Sequence, residues 1–134
     1  MIDHLTLPVK DLEKSIEFYT AALAPLGYQA GHNIPKKFQA FHFNGKPEFW
    51  LAVTKQKKFA PVHVAFATSQ DRVEPFYQGA LEAGGTDNGA PGLRSEYHPN
   101  YYGAFVLDPD GHNIEAVCHV YVAPEGDEAE EPEA

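Results

Sequence analysis

The sequence follows the same plan twice, and an internal repeat restricts the possible folds of a chain more than any other feature. The stretch HLTLPVKDLEKSIEFYTAALAPLG, which begins at His4, matches HVAFATSQDRVEPFYQGALEAGG, which begins at His63. The two histidines are 59 residues apart, and the segments FYTAAL and FYQGAL that follow them are 58 apart. The chain therefore predicts two similar modules, at about residues 1–58 and 59–120.

Each repeat predicts a strand followed by a helix. In HLTLPV and HVAFAT, large apolar residues alternate with polar or small ones, as in half-buried strands. An apolar pattern of helical period follows each stretch. Asp11 suits the N-cap of the first helix, and Ser69 or Asp71 suits that of the second. Further strands are expected near Tyr28 and Leu93, and then around the turns NGKP and DPDG.

These elements predict an α+β fold of two βαβββ modules with curved mixed sheets. A module with a single helix can cover only one face of its sheet. The other face must meet the second module or line a cavity. We therefore expect the uncovered faces to form a cup.

Composition narrows the class of protein. The chain has 134 residues, of which 43% are hydrophobic, and this suits a single domain over residues 1–120. Six acidic residues and no basic one lie at 125–134, so residues 121–134 are predicted to form an acidic, disordered tail. Since the whole chain carries −9, the rest carries only −3. No Lys/Arg patch is interleaved with aromatic residues, which argues against nucleic acid as a partner.

The single cysteine, Cys118, excludes an internal disulfide and a thiolate zinc site. Histidine, aspartate and glutamate are then the available metal ligands. The N-terminus shows no basic region followed by a long apolar stretch, and no run of about 18 apolar residues occurs. We therefore expect a cytoplasmic protein with neither signal peptide nor membrane partner.

Three polar residues are predicted to share the uncovered faces. Successive strand residues point to opposite faces, so the larger apolar residues of these strands would lie under the helices. That places His4, His63 and Glu115 together on the other side. Two imidazoles and one carboxylate commonly bind Fe2+, Zn2+, Mn2+ or Ni2+ with open coordination positions. Taken alone, His4 also suits a polar residue near a terminus. His63 suits a satisfied core histidine, and Glu115 suits a salt bridge or a solvent-facing position.

Other polar residues near the C-terminus are predicted to have simpler roles. His119 lies on the face of Glu115 but about 13 Å further along the strand, too far for the same ion. His112 in the turn and His98 in a loop are both expected to be solvated. DPDG at residues 108–111 has the residues of a type I turn, and its spacing differs from that of a calcium-binding loop.

Over about residues 1–120 the chain resembles the vicinal oxygen chelate superfamily, which includes glyoxalase I, extradiol dioxygenases, fosfomycin-resistance enzymes and bleomycin-resistance proteins. The resemblance lies in IDHLTLPVKDLEKSIEFYTAAL, VHVAFAT and YYGAFVLDPDGHNIEAVCH, and it is closest to the glyoxalase-like branch. It implies paired βαβββ modules around one divalent metal and a small substrate. The family's metal ligands correspond to His4, His63 and Glu115.

The resemblance departs from glyoxalase I in one respect. Members of that group usually supply a fourth ligand, a glutamate, from the last strand of the first module. Aligning the turn glycines places Phe49 opposite Glu115, and aligning the Ala-Val pairs places Leu51 there. Neither can bind metal, and Glu48 is out of phase with both. A three-ligand site, as in extradiol dioxygenases, is therefore expected.

Two functions and one weaker alternative follow from these residues. The first is an enzyme whose metal acts as a Lewis acid on neighbouring oxygens of a small, partly aromatic substrate, by a dioxygenase, lyase or isomerase reaction. The second is a binding protein that sequesters a ligand without metal, as in bleomycin resistance, and the third is an interaction module. A homodimer is expected by family analogy. The residues expected to contact substrate are Phe49, Trp50, Arg94, Tyr97, Tyr101 and Tyr102.

Overall fold

A computed structural model describes residues 1–124 and contains two α-helices, one short 3-10 helix (Ala24–Leu26) and eight strands in that range. The first module consists of β1 (Leu5–Val9), α1 (Leu12–Leu23), β2 (Tyr28–Ile34), β3 (Phe38–Phe43) and β4 (Lys46–Val53). The second consists of β5 (His63–Ala67), α2 (Gln70–Glu82), β6 (Thr86–Leu93), β7 (Tyr102–Leu107) and β8 (Asn113–Cys118). The predicted pair of βαβββ modules and the α+β class are confirmed. Most of the expected acidic tail lies outside the described residues.

Both modules use the same strand order. The first sheet runs β1-β4-β3-β2 and the second β5-β8-β7-β6. The first and last strands of each module pair in parallel, and the remaining pairs are antiparallel. This places β1 and β5 at an edge of their own sheets. Over residues 1–124 the two sheets remain separate and do not close into a cup.

Local sequence signals begin the helices where expected. The Asp11 side chain accepts a hydrogen bond from the backbone N–H of Lys14, as an N-cap does. Ser69 occupies the N-cap position of α2 without a side-chain hydrogen bond. Neither helix, nor any other in the described part of the chain, is long and apolar enough to span a membrane.

One core joins the two modules. Each helix packs on its own sheet, and the helices also pack on each other. Residues from the helix-covered faces meet in this core, where the rings of Phe49 and Phe66 are 5.4 Å apart. Leu7 and Ile114 are buried in it, as strand alternation predicts. Since the covered faces meet inside the chain, the uncovered face of each sheet points away from this shared core.

Polar contacts from the DPDG turn hold the modules together. Gly111 N–H donates to the carbonyl of Asp108 at 3.0 Å, which confirms the predicted turn. The Asp108 carboxylate accepts a hydrogen bond from the Tyr19 hydroxyl of α1 at 2.5 Å. His112 is fully buried rather than solvated, and it accepts from Val62 N–H and donates to the carbonyl of Pro8, both at 3.0 Å. The position of the first module is thus tied to the turn that precedes β8.

Candidate functional site

Glu115 lies in the middle of β8 on the face away from the helices. It is paired with Ala65 of β5 and is only 1% exposed. Its Oε1 lies 2.9 Å from Nε2 of His63, whose side chain is 48% exposed. A buried carboxylate requires a cation or hydrogen-bond donors, and the imidazole meets this requirement from one side. The sequence-based expectation that these two residues share a face is met.

The second oxygen of Glu115 faces Tyr101, which lies just before β7. The Tyr101 hydroxyl donates a hydrogen bond to Oε2. Burial, followed by this hydrogen bond and the negative charge of Glu115, raises the pKa of Tyr101 well above its ordinary value. Gly103 makes room for the contact, because a Cβ there would lie 3.3 Å from Oε2. Both oxygens of Glu115 therefore have partners.

An aromatic wall and an arginine border this pair. Phe105 is paired with Glu115 across β7 and β8, and its ring stacks on His63 with centroids 6.1 Å apart. The Arg94 guanidinium lies over the Phe105 ring, 5.4 Å from its centroid. A cavity of about 300 Å³ opens here, with Arg94, Tyr97, Phe105 and Asn113 among its lining residues.

Two glycines of β6 accommodate Arg94. A Cβ at Gly92 would lie 2.9 Å from Nη1, and one at Gly89 would lie 3.2 Å from Nη2. Arg94 Nη2 donates to the carbonyl of Ala90 at 2.6 Å. Within residues 1–124 the guanidinium forms no ion pair, so it keeps capacity to bind an anion.

His4 does not join His63 and Glu115 in the single chain. Its Nδ1 lies 2.8 Å from the Asp3 carboxylate, and its side chain is 55% exposed. Over the described residues, no group of three His, Cys, Asp or Glu side chains is close enough to hold one metal ion. His4 instead lines a separate cavity of about 230 Å³, together with Glu48 of β4 and Ala65 of β5.

The strand register identifies Trp50 as the counterpart of Glu115. Thr6 pairs with Trp50 as Ala65 pairs with Glu115. Both sequence alignments, to Phe49 and to Leu51, are one residue off, and tryptophan cannot bind the metal either. The exclusion of Glu48 by strand phase no longer holds, because Glu48 lies at a bulge and lines a cavity with His4. A β-bulge at Glu48 explains the first error, since it inserts one residue between the turn and Trp50.

The expected substrate contacts in β4 divide between the two faces of the sheet. Phe49 is 1% exposed and packs against Tyr19 in the core, on the helix-covered face. Trp50 lies on the uncovered face, where its ring packs against Phe38 and His32 at 5.4 and 6.5 Å.

The expected contacts near β7 divide in the same way. Tyr97 is 61% exposed and packs on Tyr101 at 4.8 Å. Tyr102 points to the helix-covered side, where it packs against the cluster that contains Val73 and stacks on Tyr121 at 4.7 Å. Alternation explains the difference, because Tyr101 and Tyr102 are consecutive in an extended segment.

Sequence reasoning missed a pair of histidines beside Tyr101. Nε2 of His98 lies 2.9 Å from Nδ1 of His119. The sequence placed His98 in a solvated loop and considered His119 only as a ligand of the ion at Glu115. Only the path of the chain between β6 and β7 brings them together. Their side chains are 21 residues apart in sequence, and no local signal predicts that contact.

Comparisons with known proteins give a consistent result. The model of the Glyoxalase/Bleomycin resistance protein/Dioxygenase superfamily matches residues 1–116. Metallothiol transferase FosB of Shouchella clausii is 26% identical over 121 residues, with 85% of this chain and 77% of that protein covered. Glutathione transferase FosA of Serratia marcescens is 26% identical over 122 residues, with the same coverage. A crystal structure of a glyoxalase/bleomycin resistance protein from Albidiferax ferrireducens is 27% identical, with a TM-score of 0.71 and 87% and 96% of the two chains covered.

Proposed function

The chain belongs to the Glyoxalase/Bleomycin resistance protein/Dioxygenase superfamily, and we propose that it is an enzyme that uses one divalent metal to act on a small molecule. The observation that carries the proposal is the contact between His63 and the buried Glu115. An imidazole and a carboxylate are suitable ligands for Fe2+, Zn2+, Mn2+ or Ni2+.

The spacing of these two groups fits a metal. Two ligands that each lie about 2.1 Å from one ion, at right angles, are about 3 Å apart. His63 Nε2 and Glu115 Oε1 are 2.9 Å apart. When bound, a divalent ion would supply Lewis-acid polarisation of neighbouring substrate oxygens. It would also stabilise a carboxylate that burial otherwise disfavours.

The third ligand in this proposal is His4 of a second copy of the chain. Within the described part of one chain, His4 is not close enough to His63 and Glu115 to share a metal ion with them. A second copy can place its first sheet opposite the second sheet of the first copy. The exposed edges of β1 and β5 leave room for such a pairing. The homodimer expected from the sequence then becomes part of the site.

Substrate binding is assigned to the residues around the metal pair. Phe105 gives an aromatic surface beside His63, and Tyr97 borders the same cavity. Arg94 suits an anionic substituent such as a carboxylate. Trp50 of the second copy would close the cup from the opposite sheet. These contacts favour a small aromatic or partly apolar anion as substrate.

The reaction class is narrowed by two observations. Trp50 at the position equivalent to Glu115 leaves three protein ligands, which disfavours the glyoxalase I reaction. The names of two relatives, a metallothiol transferase and a glutathione transferase, favour transfer of a thiol as a candidate beside the dioxygenase, lyase and isomerase reactions. Oxygen uptake with catechols and consumption of glutathione with electrophilic acceptors would distinguish oxidation from thiol transfer.

Metal analysis tests the proposal. Protein purified without chelator should contain about one divalent ion for each site, and His63→Ala should lose it because one of two adjacent ligands is removed. Elemental analysis by mass spectrometry measures the content, and Tyr102→Phe is the control. A metal-free wild type that still binds small aromatic molecules would instead support the sequestering function.

A further inference from the structure

The paired histidines His98 and His119 lie outside the metal site but contact a residue that touches it. We propose that they are positioning residues for Glu115. Their hydrogen bond seats Tyr101 so that the Tyr101 hydroxyl holds Oε2 and leaves only Oε1, beside His63, for a metal. The metal part of this inference rests on the proposed function, whereas the seating of Tyr101 stands on the contacts within the chain.

The hydrogen bonds around His98 define the proton positions of the neutral pair. Asn100 N–H donates to His98 Nδ1 at 3.2 Å, so Nδ1 carries no proton. The proton of neutral His98 is therefore on Nε2, which donates to Nδ1 of His119 at 2.9 Å. His119 in turn carries its proton on Nε2. This arrangement gives Asn100 N–H, His98 and His119 each a hydrogen-bond partner, with His98 as the donor to His119.

The same pair forms the seat of the Tyr101 ring. The rings of His98 and His119 meet it edge-on, with centroids 5.4 and 5.2 Å away and interplanar angles of 73° and 88°. Tyr97 packs on the ring at 4.8 Å. Contact on several sides restricts both torsions of the tyrosine side chain, so the direction of its hydroxyl is fixed.

Backbone contacts hold this segment against the end of β8. Arg94 N–H donates to the carbonyl of Tyr101 at 2.7 Å, and Tyr121 N–H donates to the carbonyl of Asn100 at 3.2 Å. The histidine pair adds the side-chain link between this segment and the residue just after β8. Loss of that link would free the segment to move, and with it the hydroxyl that contacts Glu115.

The consequence for Glu115 is a restriction to one coordinating oxygen. A carboxylate can bind a metal through one oxygen or both. The Tyr101 hydroxyl occupies Oε2, while Oε1 faces His63. Groups that orient a ligand in this way typically contribute 10- to 100-fold to metal affinity. A carboxylate bound through one oxygen also leaves an additional position for substrate.

Titration with Co2+ tests the metal part of the inference. Tyr101→Phe should weaken Co2+ binding roughly 10- to 100-fold. It should also reduce the intensity of the visible absorption, because a carboxylate bound through both oxygens raises the coordination number. His98→Phe and His119→Phe should shift both quantities in the same direction, whereas His98→Gln and His119→Asn, which keep the donor and the acceptor, should restore them.

Tyr102→Phe is the matched control, because it removes a neighbouring hydroxyl on the opposite face and should leave both readouts unchanged. Wild-type affinity and spectrum in Tyr101→Phe and in both phenylalanine variants of the histidines would overturn the inference.

Proton NMR of the metal-free protein separates this inference from the proposed function. A hydroxyl held against a buried carboxylate should give a downfield, slowly exchanging resonance that is absent in Tyr101→Phe. His119→Phe replaces an exposed residue and is expected to fold. Loss of the resonance in His119→Phe, with recovery in His119→Asn, supports the seating even if wild type binds no Co2+. Persistence of the resonance in His119→Phe contradicts it.

Discussion

At the scale of single residues, the two oxygens of Glu115 have different partners and therefore different roles. One faces an imidazole with the spacing of a metal ligand, and the other accepts a hydroxyl hydrogen bond. A buried structural salt bridge would also need a donor on its second oxygen. The second contact adds orientation, and orientation has value for a group that binds something else.

Glu115→Gln should remove metal binding with little loss of stability. The amide oxygen can still accept from Tyr101, and the amide nitrogen can donate to a neutral His63. Glu115→Ala should instead destabilise the fold by about 1–3 kcal/mol, because it leaves the Tyr101 hydroxyl without a partner. Metal content and thermal unfolding measure the two effects. A Gln variant that retains its metal would remove Glu115 from the ligand set.

At the scale of elements, the bond from Tyr19 in α1 to Asp108 in the turn before β8 links the modules and predicts a pH dependence. Burial, together with Asp108, raises the pKa of Tyr19 well above 10.0. A raised pKa means that the folded chain keeps this proton when the unfolded chain loses it. The stabilisation is therefore complete below pH about 10 and is lost as the pH rises further.

Tyr19→Phe should cost about 1–3 kcal/mol at pH 7 because Asp108 loses a donor. The difference in unfolding free energy between the two proteins should shrink above pH 10, since the wild type then loses the stabilisation from the Tyr19–Asp108 hydrogen bond. Thermal unfolding of both proteins at pH 7, 10 and 11 checks this result. Equal pH profiles for the two proteins would show that Tyr19 does not cause the alkaline loss of stability.

The regularity of each strand decides how much of the candidate site could be predicted from the sequence. Strand alternation was enough to place His63 and Glu115 on one face, because β5 and β8 are regular and pair in parallel. Alignment of the turn glycines was wrong by one residue in β4, because the bulge at Glu48 adds a residue there. Strand alternation also could not predict the contact of His98 with His119, which depends on how an irregular segment folds back.

At the scale of the whole molecule, the repeat predicted two modules but left open which of their faces meet. Either arrangement buries one apolar face of each sheet, so the hydrophobic pattern is the same for both. The structure places the helix-covered faces together in one core. The polar faces then point away from this core, and under the proposed function the third ligand comes from a second chain. The proposed function is therefore also a proposal about assembly.

Mixing two inactive variants tests this assembly. His4→Ala and His63→Ala should each lose metal alone, but a heterodimer of the two would contain one intact site, formed by His4 of one copy with His63 and Glu115 of the other. If subunits pair at random, half of the dimers are mixed, and metal content should return to about a quarter of the wild-type value.

A mixture of His63→Ala with Glu115→Gln is the control, because both changes affect ligands from the same copy and every site keeps one defect. Co-expression followed by size-exclusion chromatography and metal analysis measures the result. Recovery in neither mixture, with wild type binding metal as a monomer, would place all three ligands within one chain and would require the modules to pair through their outward faces.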